Sequence, residues 1–69
     1  MFWWFERNGQ FLRYEAREVT GGFELCVVDP DGTERVERFT HSADLTRRQE
    51  ELERQILAAG WSGPHGWNL

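Results

Sequence analysis

The sequence predicts an α+β domain: a four-stranded antiparallel meander in the order 1-2-3-4, one C-terminal helix packed on one face, and an irregular Gly/Trp tail. Turn chemistry cuts the first forty residues at Asn8-Gly9, Gly21-Gly22 and Asp29-Pro30-Asp31-Gly32. From Ser42 to Ala59 there is neither Gly nor Pro, and the apolar residues fall at helical spacing. Residues 60–69 mix Gly, Pro and Trp without a period. All 69 residues are read as one domain.

The turns set the strands. Asn8-Gly9 suits a two-residue type I′ hairpin loop, whose central residues both need positive φ, and Gly21-Gly22 suits a second. In Asp29-Pro30-Asp31-Gly32, Pro presets φ for a type I turn and Gly takes the left-handed bulge position. Strands are therefore expected at about 2–7, 10–20, 23–29 and 33–39. In the helix, expected at about 43–59, Leu45, Gln49, Leu52, Ile56 and Ala59 form the inward stripe. Ser42 is the expected N-cap, Thr46-x-x-Gln49 a capping box for a frayed first turn, and Gly60 the residue that ends the helix. Glu50 and Arg54 form a favourable i, i+4 pair on the far side. In the tail, Trp61 is expected to strap the core, while Trp67 suits either the strap or an anchor for a partner.

Register then sorts the faces. The turns pair Arg7 with Gln10, Phe5 with Leu12 and Trp3 with Tyr14; Thr20 with Phe23, Glu18 with Leu25 and Ala16 with Val27; and Val27 with Arg35, Leu25 with Glu37 and Phe23 with Phe39. Trp3, Phe5, Leu12, Tyr14, Ala16, Phe23, Leu25, Val27 and Phe39 then share the face beneath the helix. The outer face carries Phe2, Trp4 and Phe11 at one edge and Cys26, Val28 and Val36 toward the other, with Arg13, Arg17, Arg38, Glu15, Glu24 and Glu34 between. Such a domain needs only one apolar sheet face, so these aromatics require an explanation. Self-paired charges, Trp4 with Arg13 and Glu24 with Arg38, account for part of it. Trp, Phe and Arg are also the residues enriched at protein interfaces.

Composition narrows the classes. The chain carries eight Arg, no Lys and twelve Asp or Glu, a net charge of −4, with four Trp, five Phe and one Tyr in 69 residues. Those figures exclude a disordered acidic tail, a transmembrane protein and, with a single Cys, a disulfide scaffold. A core this small supplies only about 3–5 kcal/mol, so either the aromatic residues carry most of the stabilisation or self-association helps. The lone thiol, and an N-terminus without signal-peptide character, set a cytoplasmic location as the expectation.

No catalytic constellation emerges. Cys26, His41 and His65 are not brought together by spacing, and Cys26 reads as a small packed residue within a strand. Glu50-Glu51 and Asp29-Asp31 read as helix surface and turn chemistry, and no Gly-rich segment opens a helix as a phosphate loop would. The expectation is a non-enzymatic, self-associating protein-interaction module without cofactor, metal or membrane partner. It would bind a second copy or another protein through Phe2, Trp4, Phe11, Arg13, Arg17, Val36 and Arg38. An edge-to-edge dimer through strand four is a further geometry. The alternative is a single-stranded nucleic-acid platform, with bases stacked on Phe2, Trp4 and Phe11 and phosphates met by Arg13, Arg17 and Arg38. The element order over residues 2–59 resembles that of the transcriptional positive-coactivator family of single-stranded-DNA-binding proteins, an analogy that transfers no residues, since those proteins rely on basic strands whereas this sheet places Glu15, Glu24 and Glu34 beside its arginines. The acidic balance opposes it.

Overall fold

The computed structural model describes residues 2–67. Strands β1 (Phe2–Arg7), β2 (Gln10–Val19), β3 (Gly22–Val28) and β4 (Glu34–Phe39) precede helix α1 (Ser42–Ala58), and strand β5 (Ser62–Trp67) follows it. All pairings are antiparallel, and the sheet order is β4-β3-β2-β1-β5. Asn8 and Gly9 take the expected positive φ values of 51° and 78°, with Arg7 opposite Gln10. At the third turn, Gly32 N–H donates to the Asp29 carbonyl and Asp29 N–H to the Thr33 carbonyl, both at 2.9 Å. The Asp31 carboxylate accepts the Thr33 N–H at 2.9 Å, which holds it below the usual carboxylate range.

The sheet is thus five-stranded rather than four-stranded, and the helix is followed by a strand rather than only by a tail. Strand β5 lies beyond residues 2–59, over which the order of four strands and a helix is the expected one. The glycines that argued against regular structure are what let β5 lie against the aromatics of β1. A side chain at Gly66 would meet the Trp3 ring at 3.2 Å, and one at Gly63 would meet the Phe5 ring at 2.8 Å. The β1–β5 register shifts between Trp4 and Glu6, which accommodates the Gly63-Pro64 segment.

A second correction concerns the middle hairpin. Val19 lies opposite Gly22, Ala16 opposite Leu25 and Tyr14 opposite Val27, so the loop is Thr20-Gly21 rather than Gly21-Gly22. Gly21 takes φ 82°, whereas Gly22 pairs with Val19 in β3 and is glycine because the Phe39 carbonyl oxygen stands 2.2 Å from where its Cβ would be. Each β2 residue therefore meets a β3 residue two places from the expected one, and a two-residue shift leaves both faces intact. The β3–β4 register is the expected one, with Val27 opposite Arg35 and Phe23 opposite Phe39.

Beneath α1, Phe5, Leu12, Tyr14, Leu25 and Val27 join Leu45, Leu52, Ile56 and Trp61 in the buried core, with Trp3, Ala16, Phe23 and Phe39 packed around it. Fully burying a side chain such as Phe5 or Leu25 contributes about 1.5–3 kcal/mol. The Tyr14 hydroxyl donates to the Glu53 carboxylate of α1, and burial followed by that contact pushes its pKa well up.

The cap of α1 is His41, in extended conformation and without a side-chain bond, rather than Ser42. Its carbonyl accepts the first helical N–H groups, from Asp44 and Leu45, so Ser42 is already in the first turn. The helix ion pairs are Asp44–Arg47 and Arg48–Glu51 at i, i+3, and Glu50–Arg54 is not among the ion pairs of the described residues. Arg48 also reaches Glu37 at 3.1 Å, which draws its side chain toward the sheet. At the other end, Trp61 N–H donates to the Ile56 carbonyl and Gly60 N–H to the Leu57 carbonyl, at 3.4 and 3.0 Å. This is a Schellman motif, whose apolar contact is supplied by Trp61 and Ile56 inside the core. The Arg7 guanidinium covers Trp61 at 4.5 Å from the ring centroid and donates to the Ala59 carbonyl at 2.7 Å. Among the described residues no helix is long and apolar enough to cross a membrane.

Candidate interaction surface on the outer sheet face

Strand alternation lays the outward side chains in rows across the sheet. One row runs Phe2, Glu15, Cys26, Val36; the next runs His65, Trp4, Arg13, Val28, Glu34; a third runs Arg17, Glu24, Arg38. Phe11 stands opposite Glu6 beyond the second row.

The residues singled out from the sequence separate into three groups. Phe2 and Trp4 come together, with ring centroids 6.2 Å apart. Arg13 lies opposite Trp4 in the ladder and sets its guanidinium 5.9 Å from the Phe2 centroid. Trp4 stacks on His65 of β5 at 5.5 Å. Phe11 extends this aromatic end into solvent and is 57% exposed. Arg17 and Arg38 are both drawn to Glu24, at 3.3 and 3.0 Å, so their charges are partly used within the sheet. Val36 sits at the far edge on β4 and is 48% exposed. A depression of about 140 Å³ lies between the ends of this face, bordered by Phe2, Arg13, Arg17, Cys26 and Glu34.

One participant, His65, and one contact of another, Glu24, escaped the sequence reading. His65 belongs to the aromatic group only because the tail is a strand, and the run Phe2-Trp3-Trp4-Phe5 carries the signal for that. A β1 that opens on four consecutive aromatics makes a poor sheet edge and calls for a covering strand. Glu24 was expected opposite Arg38; its hold on Arg17 as well follows from the two-residue register shift that sets Arg17 across from it.

Cys26 is buried, and its thiol donates to the Glu34 carboxylate at 2.9 Å. Burial first, and Glu34 second, push its pKa up, away from the thiolate that nucleophilic chemistry needs. His41 lies at the helix cap and His65 against Trp4, both exposed. Among the described residues no cluster of three or more His, Cys, Asp or Glu could hold a metal ion.

A groove of about 610 Å³ opens elsewhere, between the Thr20-Gly21 loop, the end of β4 and the start of α1. Its arginines Arg38, Arg47 and Arg48 are paired with Glu24, Asp44 and the Glu37/Glu51 couple. Compared with known proteins, the chain matches no family model, no curated protein and no solved structure.

Proposed function

We propose that this chain is a non-enzymatic protein-interaction module that self-associates through its outer sheet face. The observation that carries the reading is the contiguous aromatic group Phe2, Trp4 and His65, capped by Arg13 and flanked by exposed Phe11, on the face opposite the helix. Rigid aromatic rings beside Arg are the groups whose burial dominates protein interfaces. The pairing of Arg17 and Arg38 with Glu24 weighs against the single-stranded nucleic-acid alternative, because phosphate contacts would have to displace Glu24.

The test is Phe11→Glu, chosen because Phe11 is exposed and its replacement spares the core. Sedimentation equilibrium should show association weakened by about tenfold or more, as expected when a buried aromatic anchor is lost. Unchanged association would reject the outer face. Salt-sensitive binding of oligonucleotides, lost on Arg13→Glu, would instead support the alternative.

A further inference from the structure

We infer that this chain pairs edge to edge with a second copy through β4, in the one register that sets Val36 opposite the partner's Val36. The inference rests on the reading of the chain as a self-associating module but not on the aromatic group.

The sheet ends at β4 and β5, and these edges differ. β5 contains Pro64, which has no N–H to donate, and its pairing with β1 is interrupted by a register shift. β4 has neither Pro nor Gly, and its register with β3 is unbroken from Glu34 to Phe39. It is the edge able to accept another strand.

Backbone phase determines which residues can do so. Because Asp29 N–H bonds the Thr33 carbonyl, the bonded positions toward β3 recur every second residue, at Arg35, Glu37 and Phe39. Glu34, Val36 and Arg38 therefore turn their N–H and C=O groups to the open edge. An antiparallel partner must align its own outward-turned residues with these.

Charge then selects the register. From Glu34 to Arg38 the order is negative, positive, neutral, negative, positive, which is antisymmetric about Val36. With a two-fold axis at Val36, Glu34 faces the partner's Arg38 and Arg35 faces the partner's Glu37, each twice by symmetry. Three outward-turned pairs exchange backbone bonds: Glu34 with the partner's Arg38, Val36 with the partner's Val36, and Arg38 with the partner's Glu34. Moving the axis to Arg35 sets Arg35 on the partner's Arg35, and moving it to Glu37 sets Glu37 on the partner's Glu37. Opposite charges across strands stabilise and like charges destabilise, so only the Val36 register satisfies both backbone and side chains. The same charges that defend an edge against indiscriminate pairing thus admit one partner, a second copy. Arg38 reaches Glu24 at 3.0 Å, yet its side chain is 82% exposed, and Val36 is 48% exposed. Glu34, Arg35 and Glu37 likewise meet Cys26, Asp29 and Arg48, so the cross-strand pairs share charges already engaged within each chain.

The experiment mixes two charge variants. Glu34→Arg sets two Arg pairs across the axis, and Arg38→Glu sets two Glu pairs. Each alone should weaken dimerisation roughly tenfold or more by sedimentation, since two like-charged pairs replace two opposite ones. An equimolar mixture should recover the wild-type dimer, because the arginine introduced in one variant then meets the glutamate introduced in the other. Recovery on mixing also shows that both variants fold. Hydrogen exchange supplies a readout that face-to-face packing does not move: the Glu34, Val36 and Arg38 amides should be protected in concentrated solution and exchange freely in dilute solution. Single variants that associate like the wild type, a mixture that stays monomeric, or unprotected edge amides would each overturn the inference. Loss of assembly in Phe11→Glu would still uphold the outer-face reading.

Discussion

Gly22→Ala offers a sharp test of how the middle hairpin is built. A Cβ at position 22 would lie 2.2 Å from the Phe39 carbonyl oxygen and 3.3 Å from the Thr40 Cα, so the end of β4 must move by about an ångström, a form of overpacking. That movement strains the Phe23–Phe39 pair, both of whose rings pack against the core. Overpacking of this kind costs about 1–3 kcal/mol, and the stiffer unfolded chain returns about 0.4–1 kcal/mol. The net loss of about 1–2 kcal/mol corresponds to a fall in Tm of roughly 5–15 °C for a domain of this size. Thermal melts followed by circular dichroism at fixed protein concentration would read it. Gly21→Asn is the internal control: position 21 has open space around its would-be Cβ and φ 82°, which Asn tolerates. Its Tm should stay within a few degrees of wild type. A Gly22→Ala variant as stable as wild type, or a Gly21→Asn variant that falls as far, would refute the assignment of Thr20-Gly21 as the loop.

Three further outcomes follow from the core and the face. Tyr14 is the single tyrosine, so tyrosinate absorbance reports it alone. Its pKa is raised above the ordinary value of 10.0 by burial and Glu53, so the stability it contributes is complete below pH 10 and is lost as the pH rises beyond. Tyrosinate should therefore appear only together with loss of the circular dichroism signal, and a phenolate formed near pH 10 in the intact fold would contradict the Glu53 contact. Trp61→Ala removes a buried ring at the helix exit and should cost about 3–5 kcal/mol, enough to unfold so small a domain at room temperature; a cooperative melt close to wild type would show that the Schellman-linked Trp is dispensable. The Cys26 thiol, buried and bonded to Glu34, should react with a disulfide reagent at least about tenfold more slowly in native protein than in urea, and equal rates would show that the site is open.

The parts of the fold that were legible in the sequence are those governed by local chemistry. Asn8-Gly9 and Asp29-Pro30-Asp31-Gly32 specify their turns through backbone preference alone, and both flanking registers follow from them. Inner-face membership survived even the middle hairpin's error, because a shift by two preserves side-chain alternation. The misplaced loop arose from a long-range cause: Gly22 is glycine because the backbone at the end of β4 approaches it, which no local propensity encodes. The missed strand β5 is similar, since Gly63 and Gly66 are accommodated by Phe5 and Trp3, distant in sequence. On the outer face, the Phe2–Trp4 grouping was readable from alternation, whereas His65 required the fifth strand and the Glu24 hold on Arg17 required the corrected register.

Absolute mass in solution, by light scattering across a hundredfold range of concentration, tests most directly whether this chain is a self-associating module. Self-association gives a mass that rises with concentration to at least twice the 8.2 kDa of the chain. A mass that stays at 8.2 kDa throughout would contradict it.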